Sequence, residues 1–184
     1  MNDFLKLANN RVTTYDFSDK RVSDTSLKEI LEAGRLAPSL LNAQPWSFIV
    51  VRDSLVISQL INSAYYGDFH TMPNLVIVLA IDGNMIDDSF RGIKDSRMGL
   101  PEALLSMAMP ALQMCLMATS LGIGSCLLTP NEFKIKPSLN VKKSDFIPLM
   151  IGLGYEVKGG FKKKKERKPL GDLVFSEKWG VKLF

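Results

Sequence analysis

Residues 37–46 read APSLLNAQPW, and the chain changes character across them: a helical pattern stops and an extended one begins. Pro38 and Pro45 bracket the stretch, and each forbids helix at or just before itself, because proline lacks an N–H and crowds the residue that precedes it. Ser39, Asn42 and Gln44 lie between them, all able to hydrogen-bond without carrying charge. Two readings stand for such a bend. Most proline-rich bends only connect elements, but bends held between regular elements are also where ligand contacts concentrate.

Working back from the bend, VSDTSLKEILEAGRLA (22–37) predicts an amphipathic helix that Pro38 ends. Ser23 or Ser26 can cap it, and Ser26 with Glu29 has the spacing of a capping box. Before it, residues 2–9 predict a short helix, and RVTTYDF (11–17) has β-branched residues that disfavour continuing that helix. After the bend, WSFIVVR predicts a strand, SLVISQLINSA a helix and NLVIVLAID a buried strand. Residues 65–73 between the last two are aromatic and irregular and contain His70, the one histidine; a structural role for it outweighs a catalytic one. Residues 83–100 are polar and read as a long connection or lid.

No residue from Ala103 to Asn131 is charged, which is long enough to raise a membrane span. Pro110, Gln113, Thr119, Ser120, Gly122 and Gly124 argue against that, and a central helix covered on all sides accounts for the composition better. GIGSCLLTP then starts a strand, with Cys126 read as an inert buried thiol, and FIPLMIGLGY is another buried strand. PLGDLVFSEKWGVKLF is an apolar-rich tail.

The 184 residues suit one domain over 1–184 with a sizeable core. The net charge of +4 is local: residues 158–168, KGGFKKKKERK, hold seven of the 23 Lys and Arg, and without them 16 basic residues face 18 acidic ones. A nucleic-acid surface is therefore not expected, and the segment by itself reads as a solvated basic loop. Two cysteines make neither a disulfide framework nor a zinc site, and no metal site is expected. The N-terminus carries no secretory signal, so the cytoplasm is the expected location, with no membrane partner.

Side-chain catalysis finds no support: there is no Gly-x-Ser-x-Gly elbow, no His-Glu-x-x-His, no phosphate loop with its lysine and no cysteine nucleophile with a histidine near it in sequence. An enzyme built from this chain would rely on a bound cofactor. Arg11 and Thr13 near one end, and Lys165 and Arg167 near the other, are the residue types that a phosphate dianion needs.

Four segments in this order resemble the nitroreductase family of FMN-dependent NAD(P)H oxidoreductases, over about residues 5 to 175. RVTTYDF resembles the family's Arg-x-Ser-x-Arg-x-Phe; APSLLNAQPWSFIVV is very close to Pro-Ser-x-x-Asn-x-Gln-Pro-Trp; LGIGSC resembles Leu-Gly-x-Gly-Ser-Cys. IGLGYEVKGGFKKKKERKPLGDLV is similar to the closing strand, spacer and Lys-x-Arg-Lys-Pro-Leu. The resemblance implies an α+β three-layer sandwich with a central, mostly antiparallel sheet flanked by helices, homodimeric, with FMN at the subunit interface. A partner subunit would then cover the uncharged helix.

By the same resemblance Arg11, Val12 and Thr13 would hold the ribityl phosphate, with Lys165 and Arg167 completing the cationic clasp. Pro38, Ser39 and Leu40 would lie against the ring from the other subunit, Asn42 and Gln44 would fix the bend, and Leu127, Leu128 and Thr129 would pass the edge that carries N5. Two departures stand out. Tyr15 replaces the usual Arg or Lys near the N1 and O2 edge, where a cation stabilises the anionic reduced flavin. Thr129 and Pro130 replace Gly-Gly beside N5; proline has no N–H to give, so Thr129 becomes the donor and a possible modulator of N5.

The implied function is a ping-pong transfer of electrons from NADH or NADPH, through flavin N5, to a small electron-poor acceptor such as a nitroaromatic or quinone. Tyr65, Tyr66, Phe69 and His70 are candidates for the pocket wall. The alternatives are a reductive dehalogenase-like or flavin-degrading member of the same family, the first suggested by Thr129-Pro130 and its one-electron steps, a flavin-binding protein without turnover, and an α/β domain whose basic segment binds an anionic partner.

Overall fold

The computed structural model describes residues 2–87, 93–94, 97–160, 162–163 and 166–184. In chain order the elements are α1 (Asp3–Asn10), β1 (Thr13–Thr14), α2 (Asp24–Arg35), β2 (Trp46–Val51), α3 (Ser54–Asn62) and β3 (Leu75–Ile81). They continue with β4 (Ile93–Lys94), β5 (Arg97–Met98), α4 (Leu100–Ser120), β6 (Gly124–Leu128), α5 (Glu132–Ile135), β7 (Phe146–Gly154) and β8 (Lys162–Lys163). Of the segment expected as a connection or lid, residues 88–92 and 95–96 lie outside the described residues, as does Lys165 of the expected clasp.

Six strands form the sheet in the order β2-β3-β7-β6-β1-β8, and every neighbouring pair is antiparallel except β1 with β6. β3 explains the layering. Each of its seven residues is buried, so its side chains feed two cores in alternation. Leu75, Ile77, Leu79 and Ile81 pack with Ile30 of α2 and Met107, Ala111 and Met114 of α4. Val76, Val78 and Ala80 face the other way, onto Ile57, Leu60 and Ile61 of α3 and Ile135 of α5. Two helical layers enclose one sheet, which is the three-layer α+β sandwich expected from the sequence.

Local chemistry sets the helix ends. Asn2 caps α1 by accepting from the Phe4 amide at 2.8 Å. α2 is capped by Ser23, whose side chain accepts from the Ser26 amide at 3.1 Å. The expected Ser26–Glu29 box would have started the helix one turn later; Ser23 wins because its own extended backbone already turns its hydroxyl onto the orphan amides. Asp53 caps α3 through the Leu55 and Val56 amides.

α4, which holds the first part of the uncharged stretch, is long and apolar enough to cross a membrane by length and composition. One face is fully committed to the sheet and to α2: Ala103, Met107, Ala111, Met114 and Ala118 are buried. The opposite face presents Leu104, Leu105, Met109 and Leu112 to solvent.

Candidate functional site

The sheet edge brings together two segments that lie at opposite ends of the chain. Thr13 of β1 pairs in parallel with Ser125 of β6 and, on its other side, antiparallel with Lys163 of β8; Thr14 pairs with Lys162. The Arg11–Thr13 segment is thereby set beside the basic segment that leads to Arg167. Arg11 itself ends α1 in an extended conformation, its amide bonding Leu7 O at 3.1 Å. Its charge is felt by both cysteines, Cys115 on α4 and Cys126 on β6, and no carboxylate ion-pairs with it among the described residues.

Burial pushes the Cys115 thiol up to about 11 and, with a further contribution from Cys115, the Cys126 thiol up to about 12; Arg11 offsets only part of this. Both stay protonated and unreactive at neutral pH. The close approach of β1 to β6 depends on Gly124, where an added Cβ would fall 2.6 Å from Thr14 Oγ1. Thr14 is fully buried and donates its hydroxyl to Glu156 Oε1 at 2.6 Å.

Thr129 stands just past the end of β6, four residues from Ser125 and about 13 Å away at the strand's rise per residue. Leu127 is half-buried, whereas the Leu128 side chain is buried in the α3/α5 core, so only the main chain of Leu128 can face a ligand. Thr129 is half-buried, and its Oγ1 lies 3.0 Å from the Tyr66 hydroxyl. Tyr15 packs edge-on against Phe69 with ring centroids 5.5 Å apart. Burial, then Cys126, Asp68 and Tyr66, raises its phenol above the ordinary tyrosine value, so Tyr15 is a neutral group at physiological pH, not a substitute for a cation.

The bend is held in a strained form. Leu41, Asn42 and Gln44 have φ of +48°, +58° and +46°, the left-handed region that non-glycine residues seldom enter. Ser39 Oγ accepts from the Gln44 amide at 2.9 Å, the Asn42 amide bonds Ser39 O at 3.1 Å, and Gln44 Nε2 donates to Asn42 O at 3.2 Å. Pro45 is buried and anchors the exit, while Pro38, Leu40, Asn42 and Gln44 are exposed and Ser39 is half-buried. The bend meets α4 through the Leu40 amide, 3.4 Å from Ser106 Oγ.

Arg11 acts on the same helix near Cys115, nine residues further along, or about 14 Å at the helical rise. One chain therefore assembles Arg11, Val12 and Thr13 with the β6 residues, and keeps Pro38, Ser39, Leu40, Asn42 and Gln44 on a different turn of α4. Sequence reasoning missed the parts played by Ser106 and Glu156. No local pattern marks them, because each works through a contact with a distant segment.

The chemistry of the donor set is cationic and hydroxylic around β1 and hydroxylic just past the end of β6. The fold that carries it is shared with solved proteins. The structure aligns with one from Desulfovibrio desulfuricans, solved in complex with FMN, at a TM-score of 0.80 and 24% identity, covering 97% of this chain and 99% of that one. It also aligns with one from Clostridium acetobutylicum, named for NADH oxidase activity, at a TM-score of 0.75 and 26% identity over 94% and 99%. The sequence profile described as Nitroreductase family matches residues 8–69. A protein of Archaeoglobus fulgidus, whose name pairs NADH dehydrogenase with NAD(P)H nitroreductase, is 28% identical over 187 residues, covering 97% of this chain and all of the relative. The architecture is thus that of the nitroreductase fold. The chain is similar to the nitroreductase family, whose profile it matches over residues 8–69.

Proposed function

We propose that this chain is an FMN-dependent oxidoreductase that works as a homodimer, taking a hydride from NADH or NADPH and passing electrons in the same pocket, in ping-pong order, to a small electron-poor acceptor such as a nitroaromatic or quinone. The observation that carries the reading is the pairing of β1 between β6 and β8, which sets Arg11–Thr13 beside the basic segment. Cations and a hydroxyl gathered at one end of a strand suit a phosphate dianion. The name of the Archaeoglobus relative and the FMN complex of the Desulfovibrio structure support the same reading.

The residues present fit such a cofactor. Arg11 has a charge uncommitted to any carboxylate among the described residues, and Thr13 lies two residues on, paired between β6 and β8. With Arg167 and Lys165 they would hold the phosphate, and Val12 would line the path between. Thr129 would face the N5 edge, with Leu127 and the main chain of Leu128 alongside. When bound, FMN supplies reversible acceptance of a hydride at N5. The chain's share is placement, exclusion of water and a neutral Tyr15 where a cation would favour reduction.

Pro38, Ser39 and Leu40 would serve the cofactor of a second copy, with Asn42 and Gln44 fixing the loop. The solvent-facing Leu104, Leu105, Met109 and Leu112 of α4, with Leu40 and the 82%-exposed Leu41, supply the apolar surface such a pairing needs. Purified protein incubated with FMN and freed of excess should keep a flavin absorption spectrum, bleach anaerobically with NADH or NADPH, and lose flavin more readily as Arg167→Ala. A colourless protein that takes up no FMN refutes the proposal.

A further inference from the structure

The segment that follows α3 is laid beside the residues that follow β6 and joined to them by two hydrogen bonds that form one antiparallel bridge. The Tyr65 amide bonds Thr129 O at 3.1 Å, the Asn131 amide bonds Ser63 O at 2.9 Å, and Ala64 bridges antiparallel to Pro130. The next residue, Tyr66, places its hydroxyl 3.0 Å from Thr129 Oγ1.

Packing orders the turn that follows Tyr66. Gly67 turns the chain at φ +132°, where a Cβ would come within 2.9 Å of the Phe69 ring and 3.1 Å of Leu128. Phe69 is gripped between Tyr15 and Phe17, with centroids at 5.5 and 6.2 Å, and the His70 amide bonds Tyr15 O at 2.9 Å. Tyr66 itself is 55% exposed, so water can donate to its oxygen.

A threonine hydroxyl has one hydrogen and two lone pairs. If Tyr66 donates to Thr129 Oγ1, the one Thr129 hydrogen is released to point elsewhere; if Thr129 donates to Tyr66, that hydrogen is used up. A phenol is the more acidic of the two hydroxyls, which makes it the better donor. Main-chain help is missing on the far side, because Pro130 has no N–H.

We propose that Tyr66 is a positioning residue: by donating to Thr129 Oγ1 it aims the Thr129 hydrogen at the cofactor edge and strengthens that hydrogen bond through the chain Tyr66, Thr129, ligand acceptor. The inference rests on the FMN reading above and deepens it, because an aimed donor stabilises the oxidised ring, whose N5 is an acceptor, more than the reduced ring, whose N5 carries hydrogen. Chained hydroxyls polarise one another, so deleting the first weakens the second.

The test is a reductive titration of the FMN-loaded protein against a reference dye of known potential, read from flavin and dye absorbance with no turnover substrate present. Tyr66→Phe should raise the reduced-to-oxidised ratio at a fixed dye poise about threefold to tenfold, while Thr129→Val raises it at least as far. In the double variant Tyr66→Phe should add nothing, since its effect passes through Thr129. Melting of the apo forms checks that Tyr66→Phe is folded. An unmoved ratio in Tyr66→Phe, or a shift that adds in full to that of Thr129→Val, overturns the inference and leaves the FMN reading standing. A wild-type chain that takes up no FMN overturns both.

Discussion

Ser39→Ala tests whether the bend is a device for holding a ligand or a part of the core. Leu41 and Gln44 sit in the left-handed region, where a non-glycine residue costs about 1 to 2 kcal/mol, so the loop is strained by about 2 to 4 kcal/mol. The bond from the Gln44 amide to Ser39 Oγ, 2.9 Å, is the one side-chain acceptor that closes the loop across its whole length. Removing it forfeits about 1 kcal/mol. That corresponds to about a fivefold fall in the closed-to-open ratio of the bend and, with the strain holding the ligand-free loop mostly open, to about a fivefold weaker FMN affinity.

The global fold should be indifferent, because the bend is largely exposed and its anchor, Pro45, is untouched. The measurement is FMN binding to apo protein by quenching of flavin fluorescence, alongside thermal melts of the apo form. Ser39→Ala should weaken binding about fivefold and leave the melt within a degree or so, and Ser39→Thr, which keeps the oxygen, should behave like the wild type. A melt lowered by several degrees, or Ser39→Thr failing as badly as Ser39→Ala, would show that the hydroxyl does not act by closing the loop.

Other perturbations reach the sheet edge and the core. Gly124→Ala drives a methyl to within 2.6 Å of Thr14 Oγ1 and 2.9 Å of Glu156 Cγ, and should cost about 1 to 3 kcal/mol in urea unfolding together with weaker FMN retention. Lys136, buried and 3.2 Å from Glu132 Oε2, supports a carboxylate that also accepts the Ile147 amide at 2.7 Å. Lys136→Ala should destabilise by about 3 kcal/mol, whereas Lys136→Met with Glu132→Gln should recover much of it; equal losses in both would count against an ion-pair origin. The Cys115 thiol, raised by burial from 9.0 to about 11, stays neutral in the fold while the unfolded chain ionises. Its contribution is complete below about pH 9 and is lost as pH climbs through 11, on the order of 3 kcal/mol, and stability curves of Cys115→Ala should be flatter there.

The long elements were legible because burial writes its period into them. β3 is an unbroken apolar run since both faces are covered, and α2 repeats its apolar residues at helical spacing and stops before Pro38. β1 and β8 were not legible as strands. Each has two residues, too few for an alternating pattern, and what makes them strands is a pairing between residues about 150 positions apart. The four residues of α5 left no periodic signal either. In the bend, the prolines and polar residues announced a turn, but nothing about leucine announces φ +48° at Leu41; surrounding hydrogen bonds impose it. Tyr66 was visible only as one aromatic of a cluster, because its partner Thr129 is 63 positions further on.

α4 has a consequence for how the protein behaves on dilution. It touches the bend at Ser106 and feels the charge of Arg11 at Cys115, and its outward face carries exposed leucine and methionine. If that face meets its copy and each bend serves the neighbour's cofactor, self-association and flavin uptake are linked equilibria, and each strengthens the other by the same factor. Apparent FMN affinity should then rise with total protein concentration, and flavin added to a dilute sample should shift monomers into dimers.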